Sequence, residues 1–213
     1  MSEKPEKKTF RDCVTSINEY AKTNETVTLF ELSKLLGSFA HYILAGFLVL
    51  FLLQPIPLPI ISNAISFIIA LSGYCIVFEK PLWMPDILKK YTLKQVMVMK
   101  LCVYWDYASD KMSGFIRKRG NFFVNHEEPI RRINGLFILL FGLFMCIPWV
   151  VPGADFLPSL GILFLCLAAL QEDELMIVIG YFILVSSLFI FFGILLPVIK
   201  IANATIVTPI PPK

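Results

Sequence analysis

Between Lys34 and Glu79 the chain runs from Leu35 to Phe78 without one Asp, Glu, Lys or Arg. Three more uncharged runs follow, Ile133–Ala154, Phe156–Gln171 and Leu175–Ile199. A helix needs about 20 predominantly apolar residues to cross a bilayer, so such runs read as spanning candidates. Composition agrees, at 57% hydrophobic and 16% charged, where soluble domains sit near roughly 45–50% and about 25%. The alternating pattern of outer-membrane strands is absent. The N-terminal segment, up to Lys34, is polar and Lys-rich and lacks the apolar core of a signal peptide. The chain therefore reads as all-α, a polytopic helical integral membrane protein.

Charge placement orients it. Most of the 19 basic residues lie in two clusters, one up to Lys34 and one from Lys80 to Arg132, and only Lys200 and Lys213 lie elsewhere. The positive-inside rule puts both clusters in the cytoplasm. An even number of crossings then separates Lys34 from Lys80, which makes the first run a hairpin.

Three prolines, Pro55, Pro57 and Pro59, stand in the middle of that run. Proline lacks an N–H and forces the preceding residue out of the helical region, so it stops a helix. Leu35–Gln54 and Ile60–Glu79 are left as two arms, each long enough to cross. The break reads either as a surface turn or as a re-entrant break. In the second case its freed carbonyls need protein or water partners, with Gln54, Ser62 and Asn63 at hand.

The break occurs twice. Shifted by 93, Pro55 falls on Pro148 and Pro59 on Pro152. Under the same shift Leu50, Phe51, Ser66, Ile69 and Glu79 also fall on identical residues. Matched broken segments in two halves point to an internal repeat with a site at the repeat interface. The second hairpin has shorter arms: Ile133–Ile147 spans about 22 Å and Ser159–Gln171 about 20 Å at helical rise. Neither reaches across about 30 Å of hydrocarbon, so this hairpin is expected to be re-entrant. Asp155 then stands either at depth, where a carboxylate usually has a function, or as the N-cap of a helix starting near Phe156.

The resulting plan has six parts. Residues 1–34 form a cytoplasmic segment with a short amphipathic helix, capped by Thr28 and Glu31. Residues 35–80 make the first proline-broken hairpin. Residues 81–132 make a basic interfacial stretch of one or two helices, with Trp83 as an aromatic anchor and Arg131 and Arg132 at the re-entry. Residues 133–172 make the second hairpin, 173–200 an acidic turn and the last membrane helix, and 201–213 a tail. Tyr91, Tyr104, Trp105 and Tyr107 among lysines suit a helix lying on anionic lipid. The Glu172-Asp173-Glu174 turn reads as solvated, or as a place where carboxylates gather cations or protons. His41 reads as a buried ring hydrogen-bonded within the bundle, with a proton relay as the alternative.

The binding or transport candidates are accordingly Gln54, Pro55, Pro59, Asn63, Pro148, Pro152, Asp155, Glu172 and Asp173. No HExxH, GxSxG or phosphate-binding loop is present, so neither catalytic residues nor a cofactor are expected. The five cysteines are scattered without CxxC spacing, and no disulfide or metal site is assigned. The basic stretch has no nucleic-acid-binding fold around it. Homo-oligomerisation is left open.

The order of features resembles a known family. A Pro-x-Pro break precedes a helix ending in Trp83-Met84-Pro85. A basic segment follows, then a second broken run with Leu157-Pro158-Ser159-Leu160, then Glu172-Asp173 before a final helix. This is similar to the ExoD family of bacterial exopolysaccharide-synthesis membrane proteins, over roughly residues 28–200. The family commonly has Leu where this chain has Met84, and favours Gly where it has Glu174. The resemblance implies an inner-membrane protein, N-terminus cytoplasmic, serving exopolysaccharide synthesis or export beside the polysaccharide-synthesis machinery. A non-enzymatic accessory component is the leading expectation. A small ion or solute transporter using the paired proline breaks is the alternative. An enzyme on lipid-linked sugar would have to pair Asp155 with the Glu172 cluster.

Overall fold

The computed structural model describes residues 9–53, 59–81, 89–112, 127–147 and 155–207. Eight helices and one pair of short strands make up the described residues. The fold is all-α apart from that small ribbon. Gln54, Pro55, Trp83, Pro148 and Pro152 lie outside the described residues.

The first helix, α1 (Phe10–Thr23), is started by a reciprocal cap. Thr9 accepts from the Asp12 N–H, and the Asp12 carboxylate accepts from the Thr9 N–H at 2.8 Å. Phe10, Cys13, Val14, Ile17 and Ala21 recur at helical spacing and are all buried. They face α5 (Gln95–Met112), whose Val98 and Cys102 are buried in turn. Phe10 sets its ring edge against Trp105 at 4.6 Å and against Phe39 at 5.4 Å.

Strands β1 (Thr26–Thr28) and β2 (Thr92–Lys94) pair antiparallel, Val27 opposite Leu93. This corrects the all-helical reading of residues 81–132. Alternating Thr-Val-Thr and Thr-Leu-Lys can each present one face inward, and Val27 is fully buried.

The expected cap on α2 (Leu29–Leu36) is present, with Glu31 accepting from the Thr28 N–H at 2.9 Å. The arm predicted to run unbroken over Leu35–Gln54 is divided, however. Gly37 adopts φ +56°, open to glycine without a Cβ penalty. Its N–H closes on the Ser33 carbonyl, and α3 (Phe39–Leu52) leaves at 113° to α2. Sequence periodicity does not register such a turn because both sides of it are apolar.

Four helices build the bundle: α3, α4 (Pro59–Val77), α6 (Glu127–Met145) and α7 (Phe156–Gln171). Each of α3 and α6 packs on both α4 and α7, so the four close a ring. Pro59 takes the first helical position of α4, where a missing N–H costs nothing. Between α4 and α6 the backbones nearly touch. A Cβ on Gly73 would fall 2.8 Å from the Gly135 carbonyl, and one on Gly142 would fall 2.7 Å from the Ala70 nitrogen. Small residues at helix contacts permit this approach, and dispersion across it is the gain.

The last helix, α8 (Glu174–Val207), returns along α7, with Gly161 and Gly180 at the crossing. Among the described residues it alone is long and apolar enough to cross a membrane by itself, over Glu174–Gly193. Its outward side chains stay bare, Phe182 at 73% and Phe189 at 75% exposure.

Candidate functional site

The candidate residues separate to the two ends of the bundle. At one end stand the starts of α3, α6 and α8 with the finishes of α4 and α7. The starts of α4 and α7 stand at the other.

Pro59, Asn63 and Asp155 belong to the second end. Cys146 donates to the Asn63 carbonyl at 3.8 Å, tying α6 to α4. Asp155 occupies the N-cap position of α7 but makes no side-chain capping bond. Its Oδ1 is buried and makes no hydrogen bond, and one turn on, the fully buried Ser159 hydroxyl makes none either. The expected cap by the Asp155 carboxylate is therefore corrected. Ser66, in contrast, donates to the Ser62 carbonyl at 2.8 Å.

At the first end Arg131 donates to Glu79 at 2.6 Å and Arg132 to the same oxygen at 3.5 Å. The ion pair anchors the start of α6 to the finish of α4. Glu172 and Asp173 are buried, which corrects their reading as a solvated turn. Glu172 holds a left-handed conformation at φ 53°, and the Asp173 N–H reaches back to the Ala168 carbonyl at 3.2 Å. Asp173 then caps α8, its carboxylate accepting from the Leu175 N–H at 2.9 Å. So the tight turn forms without a glycine. Asp155 and Glu172 flank α7, about 25 Å apart at helical rise, too far to work as one acid–base pair.

Three polar residues that no motif singled out sit together above this turn. Tyr181 of α8 donates to the side-chain oxygen of Asn134 on α6. Tyr42 of α3 reaches the Arg131 carbonyl at 3.5 Å. Asn134 is fully buried. Its signal in the sequence is that it is the one amide in the Ile133–Ala154 run. His41 is buried, at 3% exposure, with its ring against the Ser38 backbone.

These features define a helical bundle with buried polar crosslinks and a capping layer of α1, α2 and α5 at one end. The family model for exopolysaccharide synthesis, ExoD, matches residues 11–193, and the chain belongs to the ExoD family. Protein ExoD of Rhizobium meliloti (strain 1021) is 29% identical over 174 residues, covering 80% of this chain and 70% of that protein. No solved structure matches. Membership assigns the chain to exopolysaccharide synthesis.

Proposed function

We propose that this protein is an inner-membrane component of exopolysaccharide synthesis or export, working as a non-enzymatic accessory with its N-terminus in the cytoplasm. The observation that carries the membrane reading is where the bare apolar surface lies. Phe47, Leu50 and Phe51 on α3, Phe67 on α4, Leu140 and Leu143 on α6 and Phe182 and Phe189 on α8 all point outward. A soluble monomer seldom exposes such a girdle, whereas lipid tails cover it without cost.

In this reading α3–α4 and α6–α7 are two copies of one hairpin. The shift that aligns the prolines carries Gly46 onto Leu139 and Gly73 onto Cys166. A Cβ on Gly46 would meet Cys166 at 3.4 Å, and Gly73 is pressed against Leu139. The two contacts are the same contact made twice, with the glycine on opposite partners. His41 and Asn134, both buried, are related by the same shift, as are Ser66 and Ser159. All four helices of the ring then cross the membrane or enter it, related by an axis parallel to them.

Deletion of the chain's gene is expected to lower surface polysaccharide, and Asp155→Asn is expected to restore it as well as the native chain does. Failure of Asp155→Asn, together with a proton or ion flux in proteoliposomes that Asp155→Asn abolishes, would replace the accessory reading with the transporter one. That second reading is favoured by one feature, the buried oxygens of Asp155 and Ser159 on one face of α7 without hydrogen bonds.

A further inference from the structure

Helix α5 has two apolar faces, and only one is used. Val98, Cys102 and Trp105 turn inward against α1. Met97, Leu101 and Tyr104 form the neighbouring row, about 100° round the helix, and are bare, Tyr104 at 70% exposure, with Val103 and Tyr107 exposed alongside. A helix at a protein surface ordinarily turns charge outward. Here the bare row is apolar and aromatic, and the charges that precede it in the chain are basic. From Lys89 to Trp105 the chain has four lysines and no acid, and Asp106 follows. Lys94 and Lys100 are both exposed.

The fold fixes where this helix stands. The Leu29 N–H donates to the Tyr91 carbonyl and the Gln95 N–H to the Glu25 carbonyl, each at 3.0 Å. These bonds extend the β1–β2 ribbon and start α2 and α5 side by side. Phe10 packs at once on Trp105 of α5 and on Phe39, the first residue of α3. The 113° turn at Gly37 lays α2 across the end of α3. Helix α5 is thereby held at the end of the bundle where α3 begins.

We propose that the Met97–Leu101–Tyr104 face of α5 docks on the headgroup region of an anionic bilayer, with Lys94 and Lys100 on the lipid phosphates. Aromatic and aliphatic side chains enter the acyl boundary while lysines extend to the charge layer. The inference rests on the bundle spanning the membrane, since that is what brings a bilayer to α5.

The test places a photoreactive benzoylphenylalanine at Tyr104 in the full chain, reconstituted in vesicles of phosphatidylcholine and phosphatidylglycerol. Phe189 on α8 takes the same residue as a reference. Irradiation is expected to give phospholipid adducts at both positions. At Tyr104 phosphatidylglycerol exceeds its mole fraction, and each of Lys94→Gln and Lys100→Gln lowers the excess by up to about fivefold. Lipid adducts at Phe189 with covalent dimers or no adduct at Tyr104 overturn the docking surface alone. An adduct ratio at Tyr104 equal to the mole ratio overturns its anionic character. Loss of lipid adducts at Phe189 as well overturns the spanning bundle and the docking with it.

Discussion

Glu79 and Glu172 close α4 and α7 with the same backbone turn, at φ 52° and 53°, and the shift that aligns the prolines carries one onto the other. They are the two non-glycine residues with positive φ among those described. After each, the next N–H reaches a carbonyl in the preceding turn: Lys80 to Cys75 at 2.9 Å and Asp173 to Ala168 at 3.2 Å. This left-handed close satisfies carbonyls that a helix end otherwise leaves open. It is ordinarily made by glycine, because an L side chain there costs about 1–2 kcal/mol.

The backbone term can be separated from the side chain at both turns. Glu79→Ala and Glu79→Gly both delete the ion pair with Arg131, so their difference isolates conformation. We expect the Gly variant to be more stable by about 1 kcal/mol, and the same order for Glu172→Gly over Glu172→Ala. Thermal unfolding in detergent reads it. Equal stability within either pair would mean that the turn is not left-handed at that position.

The twin contacts of the two hairpins differ in slack. At Gly46 an alanine Cβ meets Cys166 at ordinary contact distance, so Gly46→Ala is expected within about 0.5 kcal/mol of the native chain. At Gly73 the obstacle is backbone on α6, which cannot rotate away. Gly73→Ala is expected to lose about 1–3 kcal/mol as α4 and α6 are forced apart. A Gly46→Ala variant that loses as much as Gly73→Ala would refute the looser packing of α3 on α7.

The bond from Tyr181 to Asn134 lies in an apolar interior, where a lone acceptor has no water to turn to. Tyr181→Phe is expected to cost about 1–3 kcal/mol, because it leaves the buried amide oxygen unpaired. Adding Asn134→Leu should return part of that loss, since removing both partners also removes the stranded group. A double variant less stable than Tyr181→Phe would show that Asn134 serves another partner as well.

Much of the bundle was legible because its causes are local. Uncharged runs set the helices, Pro59 starts α4, and Thr28 with Glu31 starts α2 where the capping pattern placed it. Gly37 was not legible: a glycine between apolar segments gives no sign that it bends the chain by 113°. The β1–β2 ribbon joins Thr26–Thr28 to the distant Thr92–Lys94, and strands this short leave too little alternation to detect. The site divided in the same way. Glu79 and Arg131 become partners only through the close packing of α4 and α6, and Glu172 and Asp173 looked solvent-facing because burial at a turn depends on what folds over it.

The Thr28–Glu31 cap carries its own pH signature. The Thr28 N–H and hydroxyl hold the Glu31 carboxylate below its ordinary 4.5, and Tyr20 donates to it as well, at 3.1 Å. A carboxylate depressed by folding lends stability that is complete above its unfolded value and is lost as pH falls through the folded one. The contribution is therefore whole at neutral pH and fades below about pH 4.5. Thr28→Ala removes the cap and is expected to cost about 1 kcal/mol near pH 7. That cost should shrink on acidification, because the native chain loses part of the same interaction. Glu31→Gln keeps a hydrogen-bonding side chain at the position and cannot titrate, so its unfolding temperature should vary less between pH 6 and pH 3.5 than the native value does. Equal pH dependence in the two chains would place the titrating group elsewhere than at the start of α2.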